Sequence, residues 1–300
     1  MDFESNYNAM KFPLFTLAIL LTFAGLAQER KRMYDLGPDS HRQEGVPQGE
    51  VTRHVIQSKE WREAHHEYYV YVPAQYDPKA GAGLMVFQDG HWYLNEEGDA
   101  RTTIVYDNLI HQGKVPVTIC IFINPGHSSD DFPENPFRNQ YRVDQYDEMS
   151  DRYVSFLINE LIPEVEKEYN IIDDPKHRAI CGMSSGGICA FTAAWQRPDY
   201  FHKVVSHIGS FTNIRGGHEY PNMIRSVTKK DIKVFLQDGE NDLDLVFGNW
   251  WLANKQMESS LKFRDYDYKF VGGKGGHSGE HGGAILPETL IWLWSDIMEK

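Results

Sequence analysis

The sequence is poor in cysteine, in positive charge and in long apolar runs. It has three cysteines, Cys120, Cys181 and Cys189, an odd number at irregular spacing, which excludes a disulfide framework as the source of stability. Two lie in strand-like apolar stretches and Cys189 in an alanine-rich one, so all three read as small buried hydrophobes. Lys and Arg number 30 against 43 Asp and Glu, a formal charge of −13. That deficit argues against nucleic acid and anionic membrane as partners, because both require a basic face. No repeat, low-complexity tract or long linker follows residue 27. With 300 residues, 41% of them hydrophobic, the chain can bury one large core.

The exceptional apolar run starts after Lys11, extends from Phe12 to Ala24 and is followed by Gly25-Leu26-Ala27. A positive residue, a short apolar core and small residues before a cut site describe a secretory signal peptide, residues 1–27. The run falls short of the ~20 residues of a comfortable membrane span. The mature chain is therefore expected in the periplasm or outside the cell, with no membrane association after cleavage. Residues 28–50, with Gly37-Pro38 and Pro47-Gln48-Gly49, read as an irregular lead-in, and residues 51–300 as one domain.

In that domain, short stretches rich in Val, Ile, Phe and Tyr alternate with helical patterns. Strands are expected at 51–57, 66–73, 83–88, 117–123, 178–183, 203–208, 232–237 and 266–271. Helices are expected at about 101–112, 149–169, 185–197, 248–262 and 285–298. Strands first and strict alternation later predict an α/β fold: a mostly parallel sheet with an antiparallel start and helices on both faces. Sites in such sheets gather at the C-terminal ends of the strands.

At one such end stands Gly182-Met183-Ser184-Ser185-Gly186-Gly187, between a strand and an alanine-rich helix. This is G-x-S-x-G in the context it requires, a sharp turn whose neighbours must lack a Cβ. The pattern alone arises by chance in a glycine-rich chain; the strand–turn–helix setting makes Ser184 a nucleophile candidate. A serine hydroxyl needs an oriented base, and in this architecture the order is Ser, acid, His. After the strand at 232–237 comes Asp238-Gly239-Glu240-Asn241-Asp242. After the strand at 266–271 come four glycines among residues 272–276 and then His277. Asp242, out on its loop, is the preferred acid, with Asp238, Glu240 and Asp244 as alternatives. His277 is the preferred base and His281 its rival. The pair His277/His281 could also suggest a metal site, but that spacing needs a helix to bring both to one face, so no metal and no cofactor are expected.

Two backbone amides should form an oxyanion hole: Ser185, after the nucleophile, and His91, in the loop Gln88-Asp89-Gly90-His91-Trp92. Substrate-contact candidates are Trp92, Tyr93, Trp250, Trp251 and His281; an equally good reading is that two of the four Trp and Tyr rings fill the core. Arg142 and Arg215 read as solvated or salt-bridged.

Together the Gln88-Asp89-Gly90 loop, the Ser184 elbow, Gly239-Glu240-Asn241-Asp242 and Gly275-Gly276-His277 resemble the esterase family related to esterase D. That family includes enterochelin esterases and the acetylxylan and feruloyl esterases of carbohydrate esterase family 1. The resemblance spans roughly residues 50–300 and implies an α/β-hydrolase fold with Ser184, His277 and an acid at Asp242. It also implies amides near His91 and at Ser185 as the oxyanion hole. A secreted esterase acting on acetyl or feruloyl-type esters of carbohydrates is the expected function, with a small-molecule or glycan ester as its partner. A siderophore trilactone esterase, an acyltransferase using the same residues, and a catalytically silent accessory module are the competing readings; the oligomeric state stays open.

Overall fold

The computed structural model describes residues 32–61 and 63–298. The signal-peptide segment, residues 1–27, lies outside the described residues. Residues 32–49 hold one short 3-10 turn, Pro38–Ser40, before the first strand. The lead-in is nevertheless docked: Asn108 Nδ2 donates to the carbonyls of Asp39 (2.9 Å) and His41 (2.8 Å).

Eight strands form the main sheet: β1 (Glu50–Gln57), β2 (His65–Val72), β3 (Gly83–Gln88), β4 (Thr118–Ile123), β5 (Arg178–Met183), β6 (Lys203–His207), β7 (Lys233–Gly239) and, after the small hairpin β8 (Asp244–Leu245) and β9 (Gly248–Asn249), β10 (Asp267–Gly273). Their order is β1-β2-β4-β3-β5-β6-β7-β10. β1 and β2 pair antiparallel, as do β2 and β4, and every other neighbour is parallel. The inner strands β3, β4, β6 and β7 are buried along their whole length, which is why they read as nearly unbroken apolar runs. β1, at the edge, is largely exposed and carries Glu50, Arg53 and His54 on an otherwise β-prone stretch, a composition that discourages further strand pairing.

The helices are α1 (Gly90–Leu94), α2 (Thr102–His111), α3 (Arg142–Tyr146), α4 (Arg152–Phe156), α5 (Ile162–Glu166), α6 (Ser185–Gln196), α7 (Tyr220–Ser226), α8 (Trp250–Phe263), α9 (Glu280–Ala284) and α10 (Leu286–Met298). Residues of α4, α5, α6, α7 and α8 pack on one face of the sheet, and those of α2 and α10 on the other. The helix expected over 149–169 is α4 and α5 joined through a wide π turn, Leu157–Leu161, in which the Ile162 amide reaches back to the Leu157 carbonyl. Pro163 supplies the cause: its ring would clash with the Asn159 carbonyl in a regular α-helix, and widening the preceding turn relieves the clash. The short helices α1, α3, α7 and α9 escaped the sequence reading because one or two turns carry too little periodicity.

Chain order reverses between β3 and β5: from β3 the chain steps to β4 on one side, and from β5 it proceeds through β6 and β7 on the other. The loops following β3 and β5 therefore part above their strands and open a crevice.

One buried ion pair ties β6 to α10. Lys203 is wholly buried, and its Nζ donates to Asp296 Oδ2 (2.7 Å) and to the Lys176 carbonyl (2.8 Å). Burial depresses the Lys203 pKa; burial alone would raise that of Asp296, but the hydrogen bond and charge of Lys203 outweigh it and hold the carboxyl below its usual value. Asp296→Ala leaves the ammonium buried without its partner and should cost about 3 kcal/mol in urea unfolding. A depressed carboxylate contributes stability above its unfolded pKa of about 3.9 and loses it as pH falls through the folded value. The gap between wild type and variant should therefore close in acid.

Candidate active site

β5 ends at Met183 and the chain turns into α6 through Ser184, whose φ is 54° and ψ −122°. A non-glycine residue there stores of order 1–3 kcal/mol of strain, and the surroundings hold it. The Ser184 amide donates to the His207 carbonyl (3.0 Å), and the Ser184 carbonyl accepts from the amides of Gly187 (3.0 Å), Ile188 (3.2 Å) and Ser210 (3.1 Å). Gly182 is required because a Cβ there would stand 2.1 Å from the Gly186 carbonyl oxygen.

Asp242 and His277 come from the loops after β7 and β10, which are parallel neighbours. These loops are bonded to each other: Glu240 N–H donates to the Gly273 carbonyl (2.8 Å), Asn241 N–H to that of Gly275 (3.2 Å), and Asn241 Nδ2 to that of Lys274 (2.7 Å). His277 Nε2 then lies 2.8 Å from Ser184 Oγ, and its Nδ1 2.6 Å from Asp242 Oδ1. The Asp242 side chain is fully buried while that of His277 keeps 21% of its surface. Burial alone would raise the Asp242 pKa, but the hydrogen bond and charge of His277 and a hydrogen bond from Asp238 bring it below the usual carboxylate range.

The rivals are placed differently. His281 is buried, stacked at 4.0 Å on Tyr34, with its Nδ1 3.2 Å from Gln237 Nε2. Its ring is thus held among Tyr34 and Gln237 rather than in the relay with Ser184. Among the described residues no cluster of three or more His, Cys, Asp or Glu side chains is arranged to hold a metal ion. Glu240 faces outward to Lys274.

The His91 expectation needs correction. Its amide donates to Asn124 Oδ1 (3.0 Å), and its ring Nδ1 lies 2.8 Å from the same oxygen, so the amide is already engaged. Among the described residues no acceptor meets the amides of Gly90 or Ser185, leaving Gly90 as the uncommitted donor of this loop. Only glycine fits at this position, because a Cβ on Gly90 would lie 2.3 Å from the Phe122 backbone. The loop is anchored by Asp89, in left-handed conformation at φ 52°. Arg142 donates to Asp89 through Nε (2.8 Å) and Nη2 (2.7 Å), and the Asp89 amide donates to the Tyr146 hydroxyl (3.1 Å).

Among the aromatic candidates, Tyr93 is fully buried, with its hydroxyl 3.1 Å from His207 Nδ1, which removes it from substrate contact. Trp251 packs on Phe270 and over Gly272 of the edge strand β10, so it is no part of the site. Trp250 is buried edge-on to His277 at 5.8 Å and donates from Nε1 to Ser210 Oγ (3.1 Å), so it packs behind the His277 ring. Trp92 lines an open cavity of about 470 Å³, with His91, Asn95, Glu134, Phe137 and Arg138. Its ring lies against Gly279, two residues beyond His277.

Sequence reasoning missed Tyr34. Its hydroxyl accepts from the amides of Lys274 (2.7 Å) and Gly275 (3.2 Å), so a lead-in residue clamps the glycine loop that carries His277. A lone tyrosine in an irregular segment gives no periodic signal.

Gly239→Ala tests how closely the two loops must approach, because its Cβ would fall 2.0 Å from the Gly275 carbonyl oxygen. The variant should lose about 1–3 kcal/mol in denaturant melts. It should also lose the short Asp242–His277 contact, read as the disappearance of the low-field imidazole proton in NMR.

The family model described as "Putative esterase" matches residues 62–282. Uncharacterized protein YbbA of Bacillus subtilis (strain 168) is 25% identical over 217 residues, which is 69% of this chain and 82% of that protein. Among solved structures, the enterobactin esterase FES of Shigella flexneri superposes with a TM-score of 0.66 at 18% identity, over 84% of this chain and 62% of its own. The chain thus spans just under two thirds of the length of that protein. The CE1 ferulic acid esterase AmCE1/Fae1A of Anaeromyces mucronatus superposes with a TM-score of 0.64 at 17% identity, over 87% of this chain and 97% of its own. At such identities the structures share a fold, whereas the family match covers most of the described domain. The chain belongs to the putative esterase family.

Proposed function

We propose that this protein is a serine hydrolase of carboxylic esters, with Ser184 as nucleophile, His277 as base and Asp242 as the acid that orients it. The observation that carries this reading is the continuous relay from Ser184 Oγ through His277 to Asp242, with contacts of 2.8 and 2.6 Å, set on a strained elbow.

Ser184 Oγ attacks the ester carbonyl as its proton passes to His277 Nε2. The ionised Asp242 holds Nδ1 protonated and stabilises the imidazolium. Negative charge on the former carbonyl oxygen is met by the uncommitted amides of Gly90 and Ser185, the latter at the N-terminus of α6. His277 returns the proton to the departing alkoxide, which leaves an acyl-serine. Water then attacks the acyl carbonyl and loses a proton to the same nitrogen; the acyl–Oγ bond breaks, Ser184 Oγ takes that proton back, and the acid leaves.

For the alcohol we propose a neutral sugar or polysaccharide carrying acetyl or feruloyl-type groups. Support comes from the cavity beside the Gly90 loop, where Trp92 and Phe137 offer ring faces and Asn95 and Glu134 offer hydrogen-bond partners, and from the fold shared with a ferulic acid esterase. The fold shared with enterobactin esterase, together with Arg138 at the cavity, favours a catecholate trilactone as the second reading. We further propose export, on the strength of residues 11–27; N-terminal sequencing of protein from the periplasm or medium should begin just after Ala27.

Ser184→Ala should lower kcat on p-nitrophenyl acetate by about 10⁴–10⁶ with unchanged circular dichroism. Asp242→Asn should lower it by roughly 10⁴. Full activity in either variant refutes the assignment. Because the imidazole must be neutral to accept a proton, while Asp242 stays ionised well into acid, kcat/KM should rise with pH to a plateau. A panel of acetylated xylan, feruloylated sugars and a catecholate trilactone decides the alcohol: higher kcat/KM on the trilactone selects the second reading.

A further inference from the structure

Asp238 lies fully buried at the end of β7. Its Oδ1 accepts the Gly239 amide (2.7 Å) and its Oδ2 accepts Asn254 Nδ2 (2.8 Å). Asn254 is itself buried in α8 and also donates to the Gly209 carbonyl (2.9 Å). Among the described residues no lysine, arginine or histidine pairs with Asp238. Beside it, Asp242 uses Oδ1 for both His277 Nδ1 (2.6 Å) and the Leu243 amide (2.5 Å). The other oxygen, Oδ2, is buried, and no N–H or hydroxyl of the described residues reaches it. Its neighbour is the Asp238 carboxyl, within reach of a hydrogen bond between the two acids.

Two carboxylates have only lone pairs to offer each other, so a hydrogen bond between them requires that one hold a proton. Burial, then the hydrogen bond and charge of Asp242, push Asp238 far above the usual carboxylate range. Asp242 is held low by His277. Asp242 faces His277 at 2.6 Å whereas Asp238 meets only neutral donors, so a proton shared by the two acids belongs on Asp238.

We propose that Asp238 is a positioning residue: a buried neutral carboxylic acid that donates its O–H to Asp242 Oδ2 and so turns Oδ1 toward His277. This rests on the assignment of Asp242 as the acid of the triad. The bond satisfies a buried oxygen that would otherwise be left without a partner. It also draws charge from the carboxylate, weakening its hold on the imidazolium, so that His277 gives up its proton more readily to the leaving alkoxide. Asp238 thus acts on the reaction through Asp242, without touching substrate.

The titratable groups around the pair are few. His277 faces it from the loop after β10, and α8 presents only the neutral Asn254. On the rim Glu240 pairs with Lys274, and Asp244 lies exposed in β8.

Infrared difference spectra between wild type and Asp238→Asn, in D₂O at neutral pH, read the proton directly. A protonated-carboxyl C=O band present in wild type and absent in the variant is expected; its absence from wild type overturns the proposal. The pH profile gives a second reading. Asp238→Ala removes the donor, so kcat should fall about tenfold or more with little change in KM. The acid limb of kcat/KM should move to higher pH as the unrelieved carboxylate strengthens its hold on the imidazolium. Asp238→Asn is neutral and can still donate, so its limb should stay near that of wild type. A limb displaced to lower pH in Asp238→Asn would mean that wild type carries a second anion there, and refutes the neutral acid. If Asp238→Ala does not fold, the infrared band and the Asp238→Asn limb decide. The band is read in the resting protein, so it can fail while the triad stands, and it persists if Ser184→Ala shows the triad reading to be wrong.

Discussion

A serine held at φ 54° cannot be relaxed by its own residue type; it must be held by everything around it. The backbone of Ser184 is pinned by the His207 carbonyl on one side and by three amides, those of Gly187, Ile188 and Ser210, on the other. Those contacts exist only because Gly182 and Gly187 let α6 settle onto β5 and β6, where side chains would collide with Gly186 and Ser206. The strain is offset by a sheet whose central strands are buried throughout. The depth of the core and the exposure of one hydroxyl are thus parts of the same arrangement.

Around that hydroxyl the acids are sorted by their neighbours. Asp89 is buried but meets the Arg142 guanidinium through two hydrogen bonds, Asp242 is buried but meets His277, and Asp238 is buried with only neutral donors and another acid. Burial penalises the charge of both Asp238 and Asp242, and the neighbouring imidazole favours Asp242 as the one that stays an anion. The chain therefore keeps several carboxyl groups close together without accumulating unpaired charge in the core.

Much of this was legible in the sequence. The eight main strands and five long helices follow from apolar periodicity and length, and Ser184, Asp242 and His277 stand where strand ends meet glycine. What stayed hidden depended on contacts between distant residues. The sequence could not say that Asn124 would take the amide of His91, or that Tyr93 and His281 would turn into the interior while Trp92 stayed at a cavity. Nor could it give Asp238 a role beyond a turn, because its environment is assembled from α8 and the loop it begins. Single-turn helices and the Tyr34 clamp lie beyond any periodic signal for the same reason.

Tyr34 has a further consequence for how the molecule is made. Its hydroxyl holds amides some 240 residues further along the chain, so the loop carrying His277 meets its clamp only once nearly the whole chain is available. Contacts of such sequence separation form late, since their closure entropy is offset only after the intervening sheet has assembled. The sheet and the serine elbow can be in place while the histidine loop is still loose. On such an order the loop carrying His277 would be the last part of the candidate site to be fixed in place.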